Sequence, residues 1–303
     1  MVTAFQARSR TRSIGLMLRR RVLRWLLSYR TSERHMPFVV VPGDVVSDEI
    51  IVAGLYEEAV LVPLFQRFLV PWISNFSKGV ALDVGANIGN HAIYFSRYFA
   101  KVVAFEPNPV ALAILRCNVA LVEGESRVRV MPFGLGDRAE TLNFRHDQAG
   151  NLGRSSFEAT GAIGGRLIAC EMRRGDDLLS TVLGAGDSVS LIKLDIEGGE
   201  LAALQGLQST IARYMPVILF ESHRATGQGG ALDVFDYLRS LGYCAFYAIE
   251  EVGTEGAGPV RRLASRIVRG ERMRWNAITR PRDRFYQLIA ALPDAAAARE
   301  SRS

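Results

Sequence analysis

Val80-Ala-Leu-Asp-Val-Gly-Ala-Asn-Ile-Gly-Asn-His91 is the stretch around which the chain is organised. A short apolar run closes on Asp83, glycines follow at 85 and 89, and His91-Ala-Ile-Tyr-Phe95 begins an apolar helical pattern. This spacing predicts a strand, a tight turn and a helix. Gly85 has no Cβ, so the backbone can turn sharply there and come close to a ligand. Gly89 lets the helix start pack against the strand, and Asn90 is placed as the N-cap.

Two nucleotide ligands suit such a turn. A dinucleotide site wants G-x-G-x-x-G, with backbone amides aimed at a pyrophosphate. Here the third glycine is missing, and Asp83 would repel that phosphate. S-adenosylmethionine (SAM) instead carries a sulfonium and an ammonium, and a carboxylate at the strand end suits both cations. Charge complementarity favours SAM over NAD.

The remaining strands follow the same grammar. Lys101-Val-Val-Ala-Phe105 reads as the second strand and ends at Glu106-Pro107-Asn108-Pro109. Glu106 lies 21 residues beyond Gly85, where a carboxylate can accept both hydroxyls of a ribose. Asn108 caps and Pro109 opens the next helix, 109–121. Residues 127–131 read as the third strand, and the following Phe133-Gly-Leu-Gly136-Asp137 bends away to flank an adenine. Residues 141–144 and 166–172 read as further strands. Between them, Asn151-Leu-Gly-Arg-Ser-Ser-Phe157 is a polar loop that could line a substrate pocket.

A second informative stretch is Val189-Ser-Leu-Ile-Lys-Leu-Asp-Ile-Glu-Gly-Gly-Glu200. Asp195 and Glu197 emerge at the carboxyl end of a buried strand, where open α/β sheets bind ligands. Paired acids there are costly unless they bind something or accept N–H bonds. Glu200 opens a helix and suits its N-terminus electrostatically. Pro216-Val-Ile-Leu-Phe-Glu-Ser-His223 repeats the pattern, with Glu221 and His223 at the strand end. Residues 231–241 read as a helix and 242–247 as a strand. Residues 272–279 read as the last strand, antiparallel to the others.

Before the central turn, 38–42 and part of 44–53 read as short strands. Residues 56–76 carry helical spacing broken by Pro63 and Pro71. Ile14, Met17, Leu18, Val22, Trp25, Leu26 and Tyr29 form one face of a basic amphipathic helix. That helix suits an anionic membrane surface, its own domain, a second subunit, or an Arg-rich transit peptide. The domain boundaries expected are 1–35 for this segment, 36–79 for a lead-in or cap, 80–280 for the main domain and 281–303 for a partly disordered tail.

Charge and cysteines limit the function classes. The formal charge is +6, but residues 1–35 carry +8 and residues 261–303 carry +7, leaving −9 for the body. An acidic body argues against a nucleic-acid groove. No apolar run reaches the ~18 residues of a membrane span. Cys117, Cys170 and Cys244 are odd in number and far apart, so neither a zinc site nor a disulfide framework is indicated and no metal ligand is assigned. A reduced, cytoplasmic setting fits, with each cysteine read as a small core residue.

Assembled in order, these stretches resemble the FkbM family of SAM-dependent methyltransferases. The matching segments are 82–89, 105–108, 192–200 and 218–221, and 176–179 resembles a feature just before the fourth strand. Gly199 departs from the alanine common there, and both basic tails lie outside the resemblance. The family implies a class I methyltransferase fold: a Rossmann-like, doubly wound α/β sheet of about seven strands in the order 3-2-1-4-5-7-6. It implies SAM as the donor and O-methylation of a hydroxyl on a sugar or other small metabolite. Asp83, Gly85, Ala86, Asn87 and Gly89 would hold the methionyl part. Glu106, with Pro107 and Asn108, would hold the ribose, and Gly136 and Asp137 would lie near the adenine. Asp195, Glu197, Glu221 and His223 are the candidate bases or acceptor-positioning groups. A metal-assisted O-methyltransferase, an N-methyltransferase and a non-catalytic SAM-binding protein are the rival readings. The expected partners are a small-molecule or glycan acceptor, a second copy of the chain, and a membrane surface met by the N-terminal helix.

Overall fold

A computed structural model of the chain describes residues 17–22, 36–122, 127–146, 166–196, 198–222, 230–251, 273–281 and 286–293. The strands in chain order are β1 (Val80–Val84), β2 (Lys101–Phe105), β3 (Val128–Met131), β4 (Gly134–Gly136), β5 (Glu140–His146), β6 (Arg166–Arg174), β7 (Val189–Leu194), β8 (Val217–Ser222), β9 (Ala245–Glu251), β10 (Met273–Ala277) and β11 (Tyr286–Leu292). Eight of them form one sheet in the order β10-β9-β11-β8-β7-β1-β2-β3, and β4-β6-β5 form a small second sheet.

The longer helices are α1 (Val45–Ala53), α2 (Glu58–Pro63), α3 (Ile73–Phe76), α4 (Asn90–Phe95), α5 (Pro109–Ala120), α6 (Gly175–Val182), α7 (Glu200–Gly206), α8 (Gln208–Tyr214) and α9 (Ala231–Ser240). Alternation along the strands divides the core into two layers. Ala81, Leu191, Val217 and Leu219 face the layer that holds Phe65, Phe76, Phe95 and Leu115. Leu82, Ile192, Ile218 and Phe220 face the layer that holds Leu179, Leu204, Ile211 and Phe235. Both faces are covered, so the central strands are apolar throughout rather than alternating with polar residues. All five β1 residues are buried.

The sheet has the expected 3-2-1-4-5-7-6 order, extended by β10 at one edge. The inserted antiparallel strand is β11, which pairs with β8 and β9. The sequence pattern predicts this antiparallel strand at 272–279 and a tail from 281. In the structure 273–277 is the edge strand β10, antiparallel to β9, and the sheet runs on to Leu292. The strand expected within 44–53 is helix α1. Asp44 accepts the Ser47 amide at 3.0 Å and caps it, outweighing the β-branched residues that follow. Residues 38–42 are irregular rather than a strand. Gly89, at φ 96°, is the N-cap of α4 in place of Asn90. Cys170 is buried as expected, whereas Cys117 and Cys244 are exposed.

Residues 56–76 are helical as expected. The chain follows α2 with a π turn at Leu64–Phe68, then a short 3₁₀ turn around Pro71 and α3. Phe65, Phe68 and Phe76 are buried there, with Phe68 stacked on Trp275 at 4.5 Å. Residues 17–22 are helical and exposed, and the rest of the N-terminal amphipathic segment lies outside the described residues. Among the described residues no single helix is long and apolar enough to cross a membrane.

Candidate active site

The ends of β1, β2, β7 and β8 converge. Gly85 takes φ 80° and Asn87 φ 49° in the turn after β1. A Cβ on Gly85 would lie 2.0 Å from the Asp195 carbonyl oxygen, so this turn and the tip of β7 meet only through glycine. Gly85 and Ala86 donate their amides to the Phe105 carbonyl at 3.1 and 3.0 Å, tying the turn to β2.

Glu106 follows β2 directly and is buried. Its Oε2 accepts the Asn87 amide at 2.8 Å, and its Oε1 accepts the Asn108 amide at 2.8 Å. Each oxygen keeps a lone pair for a further donor. Burial pushes the carboxyl up to about 7, against the pull of the two amide bonds. Asn108 caps α5 by accepting the Val110 amide at 3.0 Å, as the sequence predicts.

Lys193 joins the two informative stretches. It lies opposite Asp83 in the parallel β1–β7 register. Its ammonium is 3.4 Å from the Asp83 carboxylate and 3.1 Å from that of Asp195. Burial favours a neutral lysine, but Asp195 and then Asp83 reverse this and hold it charged. Asp83 is closed off from solvent, and neither of its oxygens has a hydrogen-bond partner among the described residues. The cation Asp83 faces is therefore Lys193. Two carboxylates around one ammonium leave the strand tips net negative.

Asp195 and Glu221 form a hydrogen-bonded carboxyl pair. Burial opposes ionisation of Asp195, but Lys193 and the bond from Glu221 outweigh it and hold its carboxyl well below the ordinary range. Burial, and then the Asp195 charge, push Glu221 the other way. The two shifts are opposite in direction, as for two carboxyls that share a proton, with Asp195 the more acidic member.

The segment before β1 closes the cluster. Glu57 Oε2 lies 3.2 Å from His91 Nε2, and Glu57 Oε1 accepts from Gln287 at 2.8 Å. Tyr56 packs edge-on against the His91 ring. Burial, and then the charges of Glu57, Asp195, Glu49 and Glu221, raise its phenol above the ordinary range.

The structure thus brings Asp83, Gly85, Ala86, Asn87, Glu106, Asn108, Asp195 and Glu221 together. Gly136 is buried, and its carbonyl would be 1.9 Å from a Cβ on Gly206, so it packs against α7. Asp137 is exposed, 3.4 Å from Arg138. Glu197 and His223 lie outside the described residues. The sequence reading gave no role to Lys193, His91, Tyr56, Glu57 or Gln287. Lys193 had a readable signal, being the one charged residue in the run Val189–Leu194.

A doubly wound sheet in this order, with a glycine turn after β1 and an acid after β2, defines a class I methyltransferase fold. The model of the Methyltransferase FkbM domain matches residues 83–244. The chain belongs to the FkbM methyltransferase family. It is 27% identical to Methyltransferase sdnD of Sordaria araneosa over 178 residues, covering 50% of this chain and 69% of that one. It is 30% identical to Hexuronic acid methyltransferase AglP of Haloferax volcanii over 132 residues, 44% of this chain and 51% of AglP. Methyltransferase FkbM from Methylobacillus flagellatus KT, a solved structure, matches with TM-score 0.42 at 19% identity, over 71% of this chain and 44% of that one. The chain therefore spans about half or less of the last two.

Proposed function

We propose that the chain transfers a methyl group from SAM to a hydroxyl of a sugar or other small metabolite. Glu106 carries the reading: a buried carboxylate at the end of β2, fixed by two amides and with lone pairs to spare, suits the two ribose hydroxyls. The net negative strand tips suit a cationic cofactor. Gly85, Ala86, Asn87 and Gly89 would line the methionyl part, Pro107 and Asn108 the ribose side, and Gly136 and Asp137 the adenine side. Asp83 would act through the field it shares with Lys193 rather than by contact. Bound SAM supplies a methyl already activated on a sulfonium, so the protein's main task is alignment. Asp195, the more acidic member of its pair, would take the acceptor's proton. Glu197 and His223 are the neighbouring candidates.

Two sequence features support oxygen as the acceptor atom. The Asn-Pro-Pro-aromatic tetrad usual in N-methyltransferases of nucleic acid is replaced by Asp195-Ile-Glu-Gly198. The body is acidic, which suits a small acceptor better than nucleic acid. The name of AglP supports a sugar-type acceptor, although the uronic acid in that name is the kind of sugar argued below to be disfavoured here.

Calorimetry tests the reading. S-adenosylhomocysteine should bind and NAD should not. Glu106→Ala should weaken binding by about 1.5–3 kcal/mol, the scale of hydrogen bonds to a charged group. Unchanged affinity in that variant would remove the ribose assignment.

The same site predicts a pH dependence. The Glu106 carboxyl is raised from 4.5 to about 7, so it is mostly protonated below that pH and ionised above it. Ribose hydroxyls donate to the ionised form. Affinity for S-adenosylhomocysteine should therefore rise about tenfold between roughly pH 6 and pH 8, following the ionised fraction. Glu106→Gln should flatten the profile. A flat profile in the wild type would contradict this account.

A further inference from the structure

Tyr56 and Glu57 lie outside residues 83–244, the span of the methyltransferase domain. Independent restraints nevertheless hold them beside the start of α4, the helix that follows the turn after β1. The Asn90 side chain grips the Tyr56 backbone on both sides, accepting its amide at 3.0 Å and donating to its carbonyl at 3.0 Å. Asn90 is the first residue of α4, the helix that follows the cofactor turn. Glu57 takes φ 56°, a left-handed conformation that a residue with a Cβ adopts only when its surroundings impose it. Each of its carboxylate oxygens has one partner, His91 for one and Gln287, 230 positions away on β11, for the other, and each can accept one more donor.

The arrangement of charge in this cluster is directional. The Asp195 side chain is 36% exposed and that of Glu57 16%, whereas His91 is 9% and Lys193 5% exposed. The two carboxylates are the more exposed members, and His91 and Lys193 are the more buried ones. The Tyr56 phenol sits in the field of Glu57 and Asp195.

We propose that Glu57, with Tyr56, is a specificity-determining residue of the acceptor pocket and selects a neutral, hydroxyl-rich acceptor over one bearing a carboxylate near the reacting hydroxyl. The inference rests on the methyl-transfer reading above. Hydroxyls donate to the carboxylate oxygens that front the cluster. An acceptor carboxylate would instead meet two like charges, with Lys193 and His91 turned toward those acids rather than toward the ligand. Such repulsion suppresses the wrong acceptor and adds to the discrimination that the hydroxyl contacts supply. His91 and Gln287 act as positioning residues, fixing the Glu57 carboxylate so that it cannot swing aside.

Saturation-transfer NMR on protein loaded with S-adenosylhomocysteine provides the test. The probes are methyl glucoside, galactoside and mannoside, each paired with its uronide, which carries a carboxylate in place of the hydroxymethyl group. At least one glycoside should bind about tenfold or more tightly than its uronide, the scale of a modest electrostatic preference. Glu57→Gln should shrink that ratio about fivefold or more, and Tyr56→Phe should weaken the glycoside. Glu57→Gly, whose backbone suits a positive φ, should also lose the preference while melting close to the wild type. The proposal is overturned if the uronides bind as tightly as the glycosides, if no glycoside binds, or if Glu57→Gln leaves the ratio unchanged. Calorimetry with S-adenosylhomocysteine separates the two levels. Normal binding alongside any of those results sinks the acceptor inference alone, and no binding to the wild type sinks the methyl-transfer reading itself.

Discussion

Lys193→Ala is expected to destabilise the protein by about 3–5 kcal/mol, the cost of breaking a buried ion pair from one side. The variant leaves Asp83, which has no solvent exposure and no hydrogen-bond partner among the described residues, without its cation. It also removes the ammonium 3.1 Å from Asp195. For a domain of this size the melting temperature should fall by roughly 6–20 °C. The double variant Asp83→Asn, Lys193→Met should recover more than half of that loss, because neither partner is then a stranded charge. Thermal and urea denaturation of the three proteins measure this directly. A single variant that melts within a few degrees of the wild type would show that the Asp83–Lys193 pair does not hold β1 against β7.

That pair also marks how far the sequence can be read. The Asp83 turn, Glu106 and the tips of β7 and β8 were legible because each follows a short, continuous apolar run, and a run of that kind bounded by glycine or proline has few alternatives. The cofactor half of the site is built almost wholly from such ends. Lys193 was visible in the same way, yet its partner could be found only through the parallel register that sets it opposite Asp83. Helix α1 was misread because Val45, Val46, Ile50, Ile51 and Val52 favour strands, while the deciding contact is a single cap from Asp44 to Ser47. Strand β11 was missed because Tyr286–Leu292 lies among charged and alanine-rich residues, and its place between β8 and β9 comes from pairing with both. Tyr56 and Glu57 had no local signal at all. Their roles come from contacts to Asn90, His91 and Gln287, which span 34 to 230 positions.

Asp195→Asn and Glu221→Gln should differ sharply, although both replace an acid with its amide. Asp195 is the more acidic member of the pair, held so by Lys193 and by the bond from Glu221 despite its partial burial. Its replacement removes the group that can accept the acceptor's proton. Turnover should fall by about 10²–10⁴, the usual range for a general acid–base group. Burial and the Asp195 charge raise the Glu221 carboxyl, so on this account Glu221 is the member that keeps the shared proton. Glutamine reproduces that protonated shape and still donates to Asp195, so Glu221→Gln should keep turnover within about tenfold of the wild type, well above the loss of a working acid or base. Both variants should bind S-adenosylhomocysteine nearly as the wild type does, since Glu106 and the turn after β1 are untouched. The comparison requires an acceptor that the wild type methylates, and single-turnover rates then report chemistry apart from release. If Glu221→Gln is the more damaging change, the proton lies on the other partner and Glu221 is the base. Loss of S-adenosylhomocysteine binding in Asp195→Asn would make Asp195 part of the cofactor site instead.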